Sequence, residues 1–293
     1  MTSTADLRVS SLFDFRNHVV LVTGGATGLG EMAAQGFVQN GAKVFIASRK
    51  ESELKKTTDR INAIGPGKCE YIVADLKDKA GCDGLVKEIK KRTDRLTVLV
   101  NNTGVTWGAP YDDFPESGWD KLMALNVKSI FYMTVGLHDL LLKGTNADMP
   151  SRVINIASMA GIQTTDVTAS GDGGLSAPGH GTYSCTFDSG LSDATILTSS
   201  LDGPSKAACI HLTKIQASKG VFPSRMTNFG IQKYMDTLLE RQPTGRVGKP
   251  SDFAGLVLFL SSAASAHMTG NVIEIDGGSN LTGWRAKRRD TKI

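Results

Sequence analysis

Short apolar runs rich in Val and Ile alternate with helix-length amphipathic stretches along most of this chain. Runs of that kind are the mark of strands buried on both faces, and parallel strands need a crossover, usually a helix, to return the chain to the same edge. The alternation therefore predicts an α/β fold, a doubly wound parallel sheet. The strands are expected at His18–Thr23, Lys43–Ser48, Cys69–Ala74, Thr97–Asn101, Arg152–Ile156 and Asn271–Ile275. Helical spacing runs from a Gly-rich turn to about Asn40, then over Glu51–Ile64, Lys79–Thr93 and Ser117–Leu142. The 293 residues contain neither an internal repeat nor a linker, so a single domain is expected.

Charge and cysteine usage narrow the class. The net charge of +4 owes much to Arg285, Lys287, Arg288, Arg289 and Lys292 near the end of the chain. Such a cluster reads as a solvated tail rather than a nucleic-acid site. No apolar stretch reaches membrane-spanning length, and the first twenty residues lack a signal core, so a cytoplasmic protein without a membrane or nucleic-acid partner is expected. Cys69, Cys82, Cys185 and Cys209 are widely spaced, which predicts reduced thiols and no metal site.

Thr23-Gly24-Gly25-Ala26-Thr27-Gly28-Leu29-Gly30 lies between the first strand and the first long helix. Glycines there allow a tight turn and a close backbone approach to a pyrophosphate, which rests on the positive end of the helix. At the end of the second strand stand Ser48-Arg49-Lys50, with no acid before Glu51. A carboxylate at this place bonds a ribose 2′-hydroxyl, whereas a guanidinium pairs with a 2′-phosphate, so NADP(H) is the expected cofactor. The alternative reading of Arg49 is a surface cation at the start of the next helix.

The spacing Thr-Gly-x-x-x-Gly-x-Gly resembles the fingerprint of the short-chain dehydrogenase/reductase family. Other family marks follow in order: Asp75-Leu76 after the third strand, Asn101-Asn102-Thr103-Gly104 after the fourth, Asn126 in Leu-Asn-Val, Ser158 after Ile154-Asn155-Ile156-Ala157, then Pro250 and Asp276-Gly277-Gly278. The resemblance covers about Phe15 to Gly283 and implies a Rossmann-type NADP-binding domain. That domain is flanked by an extension over 1–14 and the basic tail over 284–293, with an irregular insertion at about 164–202. Trp107-Gly108-Ala109, Ser117-Gly118-Trp119, Phe222 to Thr227 and Met268 to Ile273 are most similar to NADPH-dependent β-ketoacyl reductases of the rhamnolipid-biosynthesis type. The implied cofactor contacts are Thr23, Gly24, Thr27, Gly28, Leu29, Gly30, Ser48, Arg49, Lys50, Asp75, Leu76, Asn102, Thr103, Gly104 and Lys206. The implied activity is reduction of a ketone or β-ketoacyl group, or oxidation of the corresponding alcohol. The implied assembly is a homodimer or homotetramer.

The same resemblance implies a Ser–Tyr–Lys set with a supporting Asn. A serine hydroxyl polarises the carbonyl, a tyrosine phenol moves the proton, and a lysine lowers the phenol pKa and holds the nicotinamide ribose. Ser158, Asn126 and Lys206 match by position, but Asp202 stands four residues before Lys206, where tyrosine is required. The spacing matters because i and i+4 share one face of a helix. Tyr183 is the nearest upstream tyrosine and could serve only by folding back. Replacing Cys185–Asp202 by one Tyr gives Thr-Tyr-Ser-Tyr-Gly-Pro-Ser-Lys-Ala-Ala, an intact motif, and a retained intron would leave an insertion of this form. Helical spacing over Ser205–Ser218 then runs through Lys219-Gly220 into Val221-Phe222-Pro223 with no apolar run between. The strand that the family resemblance implies after this helix, sixth in its order, is therefore expected to be missing. Its loss would rival the roughly 5–15 kcal/mol stability of a whole domain. An impaired reductase is the leading expectation, and a catalytically dead NADP(H)-binding or interaction protein is the alternative.

Overall fold

The computed structural model describes residues 6–110, 114–145, 149–158, 198–200, 202–212, 216–219, 244, 246–269 and 271–277. Nine strands are described: β1 (Val19–Thr23), β2 (Lys43–Ser48), β3 (Lys68–Val73), β4 (Val98–Asn101), β5 (Gly108–Pro110), β6 (Arg152–Ile156), β7 (Thr198–Ser200), β8 (Gln216–Lys219) and β9 (Val272–Ile275). Seven of them form one sheet in the order β3-β2-β1-β4-β6-β8-β9, every pair parallel. The order reverses between β1 and β4, and ligands of such sheets bind in the crevice beyond the strand ends at that point.

The helices are α1 (Val9–Leu12), α2 (Gly28–Gln39), α3 (Glu51–Asn62), α4 (Lys79–Arg92), α5 (Glu116–Met123), α6 (Ser129–Gly136), α7 (His138–Gly144), α8 (Asp202–Leu212) and α9 (Pro250–Ser261). Sequence punctuation sets their starts. The Asp78 carboxylate accepts from the Gly81 N–H at 2.8 Å and caps α4. Before α9, the Lys249 N–H donates to Asp252 Oδ2 at 2.8 Å and Pro250 fills the first turn, where its missing N–H costs nothing.

Strand residues alternate between two cores. Val20, Val22, Val44, Ile46, Val98 and Val100 pack on one face with Phe37 and Val38 of α2 and Phe253 and Val257 of α9. Leu21, Phe45, Ala47 and Leu99 pack on the other face with Leu85 and Ile89 of α4 and Met133 of α6. Period-two alternation thus divides an apolar run into two apolar faces, which is why these strands carry no polar stripe.

Three expectations are corrected. The sheet is not short of its sixth strand. β8 pairs with β6 through Asn155↔Gln216 and Ile156↔Ala217, and with β9 over four residues from Gln216↔Val272 to Lys219↔Ile275. Backbone amides facing each other across that gap need partners, and any residue with an N–H and a C=O can supply them. Gln-Ala-Ser-Lys does so without the apolar signature of a buried strand. The helix expected over Ser205–Ser218 accordingly ends at Leu212 and leaves those residues for the sheet.

The expected helix Ser117–Leu142 is broken. It divides into α5, a π-helical turn at Ala124–Lys128, α6 and α7. A π turn admits one extra residue, a local defect invisible to a period of 3.6 and frequent at functional sites. Near the end of the insertion expected at about 164–202, Thr198–Ser200 pairs antiparallel with Gly108–Pro110, and Asp202 opens α8. Tyr183, Cys185 and the basic tail lie outside the described residues.

Candidate active site

The first half of the site is the loop between β1 and α2. Gly24 and Gly28 have φ of +65° and +59°, backbone that L side chains rarely adopt, so the loop requires glycine at both. A Cβ on Gly30 would clash with the Gly24 carbonyl oxygen, so the third glycine lets the helix close on its own loop. Thr27 occupies the N-cap of α2 in extended conformation, and its side chain makes no cap hydrogen bond. Helix N–H groups at that end are left for an anion, in keeping with the helix macrodipole.

The loop is tied to β4 by hydrogen bonds. The Thr23 hydroxyl accepts from the Asn102 N–H at 3.0 Å and the Thr103 N–H at 3.1 Å. Asn102 Nδ2 donates to the carbonyls of Thr23 at 3.1 Å and Gly24 at 3.2 Å. One strand further on, Asn101 Nδ2 donates to Asn155 Oδ1 at 2.8 Å across the β4–β6 register. Both asparagines are buried, so the crevice floor is fixed by paired amides rather than by packing alone.

The remaining expected cofactor contacts fall at neighbouring strand ends. Ser48 is half-buried, and Arg49 and Lys50 are exposed where β2 gives way to α3. Asp75 follows β3, with its carboxylate accepting from the Lys77 N–H at 3.2 Å. The Leu76 side chain is spent on the core, which leaves only its backbone for a ligand. Leu29 packs partly against the first core from the first turn of α2.

The second half of the site converges on Asn126, in the π turn. The Val105 N–H donates to its Oδ1 at 2.9 Å, and its Nδ2 donates to the Val105 carbonyl at 3.0 Å and to Ser205 Oγ at 2.9 Å. Lys206 is the next residue on α8, and its ammonium donates to the Ile156 carbonyl at the end of β6, at 3.2 Å. A Cβ on Gly104 would stand 3.1 Å from both Asn126 Oδ1 and Lys206 Nζ, so bare backbone separates the two groups. Ser158 is buried two residues beyond β6. Asn126, Lys206, Gly104 and the end of β6 that leads to Ser158 are thus brought together. Asp202 opens the same helix one turn before Lys206.

Sequence reasoning noted Asn101, Asn155 and Ser205 only as parts of motifs, gave them no role, and did not single out Val105. Asn155, inside the noted Ile154-Asn155-Ile156-Ala157, carried a signal: an amide inside a buried apolar strand needs a partner. Ser205 and Val105 carried none. Among the described residues no group of His, Cys, Asp or Glu is placed to hold a metal ion. Cys69 and Cys82 are buried thiols pushed up to about 12 and about 11 by burial, which makes both inert. No described helix is long and apolar enough to cross a membrane.

Comparison with known proteins gives the family and the fold. A family model for short chain dehydrogenase matches residues 18–170, and one for Enoyl-(Acyl carrier protein) reductase matches residues 218–280. The chain is 37% identical over 284 residues to the rhamnolipids biosynthesis 3-oxoacyl-(acyl-carrier-protein) reductase of Pseudomonas aeruginosa, with 92% of this chain and 98% of that protein covered. It is 28% identical over 260 residues to the 3-oxoacyl-(acyl-carrier-protein) reductase FabG of Thermotoga maritima, covering 89% of this chain and 96% of that one. The solved Pseudomonas aeruginosa RhlG/NADP active-site complex matches with a TM-score of 0.77 at 36% identity, over 92% of this chain and 99% of that chain. With its glycine loop, its seven-stranded sheet and its Asn–Lys–Ser convergence, the chain belongs to the short-chain dehydrogenase family of oxidoreductases.

Proposed function

We propose that this chain is an NADP(H)-dependent reductase of a ketone or β-ketoacyl group whose turnover is impaired by the residue at position 202. The observation that carries the reading is α8, which delivers Lys206 to the site but presents Asp202 one turn earlier, where the family's proton donor belongs.

The residues present fit NADP(H). The uncapped start of α2 and the glycine loop suit a pyrophosphate, Arg49 and Lys50 are free of any preceding acid to receive a 2′-phosphate, and Lys206 lies where the nicotinamide ribose would rest. When bound, the cofactor supplies or accepts a hydride. Ser158 then orients the substrate carbonyl and Asn126 keeps the polar floor in place. The proton needed at the carbonyl oxygen has no phenol to deliver it from position 202. An aspartate is shorter than tyrosine and lacks the phenol that the family's proton transfer uses. The resemblance to 3-oxoacyl reductases supports a β-ketoacyl thioester as the substrate class.

Asp202 also favours a second reading, in which the chain binds NADP(H) without catalysis. One assay separates the two: NADPH oxidation with β-ketoacyl thioesters and aryl ketones, comparing the chain as given with a form in which Cys185–Asp202 is replaced by one Tyr. Because β8 already completes the sheet, no further repair is needed. The repaired form is expected to turn over at least ~100-fold faster, the usual contribution of a positioned proton donor. No gain on repair favours the non-catalytic reading. Robust turnover by the unrepaired chain that Tyr183→Phe abolishes overturns the impairment and assigns the proton to Tyr183.

A further inference from the structure

We infer that Ser205 is a positioning residue, setting the register of α8 on the π turn and so the place of Lys206 in the nucleotide crevice. The inference rests on the proposed NADP(H) reading and names a group that sequence motifs leave unassigned.

The amide orientation of Asn126 is fixed by its neighbours. Val105 offers one N–H donor and one C=O acceptor side by side, so Oδ1 must face the former and Nδ2 the latter. This uses one of the two Nδ2 hydrogens. The other points to Ser205 Oγ at 2.9 Å, and both residues are fully buried. That hydroxyl links α8 to the π turn, and it comes from the residue immediately before Lys206.

Two further contacts make that link consequential. Lys206 reaches the Ile156 carbonyl at 3.2 Å, a span a small rotation of α8 would open. Gly104 leaves room for the ammonium only where a Cβ would already be 3.1 Å away, so the lysine sits in a slot bounded by Asn126 and the β6 end. Removing the Ser205 oxygen would take away the hydrogen bond by which α8 meets buried Asn126 and loosen the helix on the π turn. An ammonium displaced within the slot would lose the nicotinamide ribose while the adenine half of the crevice stayed intact.

The test uses ligand binding to the full chain, so it needs no turnover. NADPH is titrated by its fluorescence. 2′,5′-ADP, which lacks the nicotinamide ribose, is titrated by calorimetry. Ser205→Ala is expected to raise the NADPH Kd about fivefold to tenfold, the worth of one hydrogen bond, with the 2′,5′-ADP Kd unchanged. Ser205→Thr and Ser205→Val share one shape and differ in the hydroxyl. Thr should keep the wild-type ratio of the two Kd values, and Val should not. Val257→Ala, a buried change on α9 away from the site, controls for plain loss of stability and should leave the ratio alone. Equal ratios for the Thr and Val forms, or a parallel rise in both Kd values, overturn the role of Ser205. Failure of the wild-type chain to bind NADPH overturns the NADP(H) reading instead.

Discussion

The nucleotide-binding half and the half that carries the chemistry are held together in different ways. β1, β2 and β4 are mostly Val, Leu, Ile and Phe, and their buried apolar residues fall into one of two cores. α8 and β8 add polar and backbone contacts: Asn126 to Ser205, Lys206 to Ile156, and the parallel pairing of Gln216–Lys219 with both neighbours, beside a small apolar cluster of Ile130, Ala157 and Cys209. The first region is fixed mainly by how much apolar surface it removes from water. In the second, hydrogen-bond partners carry more of the definition, and they constrain position strongly and residue type weakly.

Substituting one residue in each half sharpens the contrast. Leu21→Ala in β1 should cost ~3–5 kcal/mol in chemical denaturation, the usual result of emptying a fully buried site. Ala217→Pro in β8 should cost ~3 kcal/mol or more, because proline removes an N–H from a strand paired on both sides. A Pro at 217 that leaves stability untouched would show that β8 is not a ladder strand and break the comparison.

A slightly smaller effect is expected from pH, and it belongs to the first region. His18 is buried at the foot of β1, with Nδ1 3.2 Å from Thr97 Oγ1 and no partner for Nε2 among the described residues. Burial lowers its pKa from 6.5 to about 4. The unfolded chain therefore takes up a proton below about pH 6.5 that the folded chain refuses until about pH 4. Stability is fully present above that window and falls by roughly 3 kcal/mol across it. Asp14, held at about 2 by hydrogen bonding to the Arg16 guanidinium, acts only at lower pH. Urea titrations from pH 7 to pH 4 should show the slope, and His18→Asn should flatten it. An equal slope in both proteins would assign the loss elsewhere.

The smallest expected effect is on cofactor choice. Arg49→Asp should cut the preference for NADPH over NADH by ~10–100-fold, the range of a charge-assisted hydrogen bond to phosphate. Equal affinities for the two cofactors in the wild-type chain, unchanged by the substitution, would return Arg49 to the role of a surface cation.

Much of this was legible in the residues. The first five sheet strands were placed to within one residue, and Lys43–Ser48 and Arg152–Ile156 matched at both ends, because two-sided burial writes itself as an unbroken apolar run. The glycine loop was legible because backbone geometry at Gly24 and Gly28 excludes other residues. Asn126, Ser158 and Lys206 were picked out by resemblance alone. β8 and the break in the long helix were not found, since hydrogen-bond pairing leaves no hydropathy pattern and a π turn shifts the phase of the helix by one residue.

By itself, then, the sequence determined the order of strands and helices, the glycine loop, and the presence of Asp202 four residues before Lys206, all of which depend on neighbours along the chain. Only the tertiary structure decided that Gln216–Lys219 joins the sheet, that Asn126 is clamped by Val105, and that Ser205 reaches across from α8 to meet it. Those contacts join residues up to 79 positions apart, and buried polar groups choose such partners by position in space.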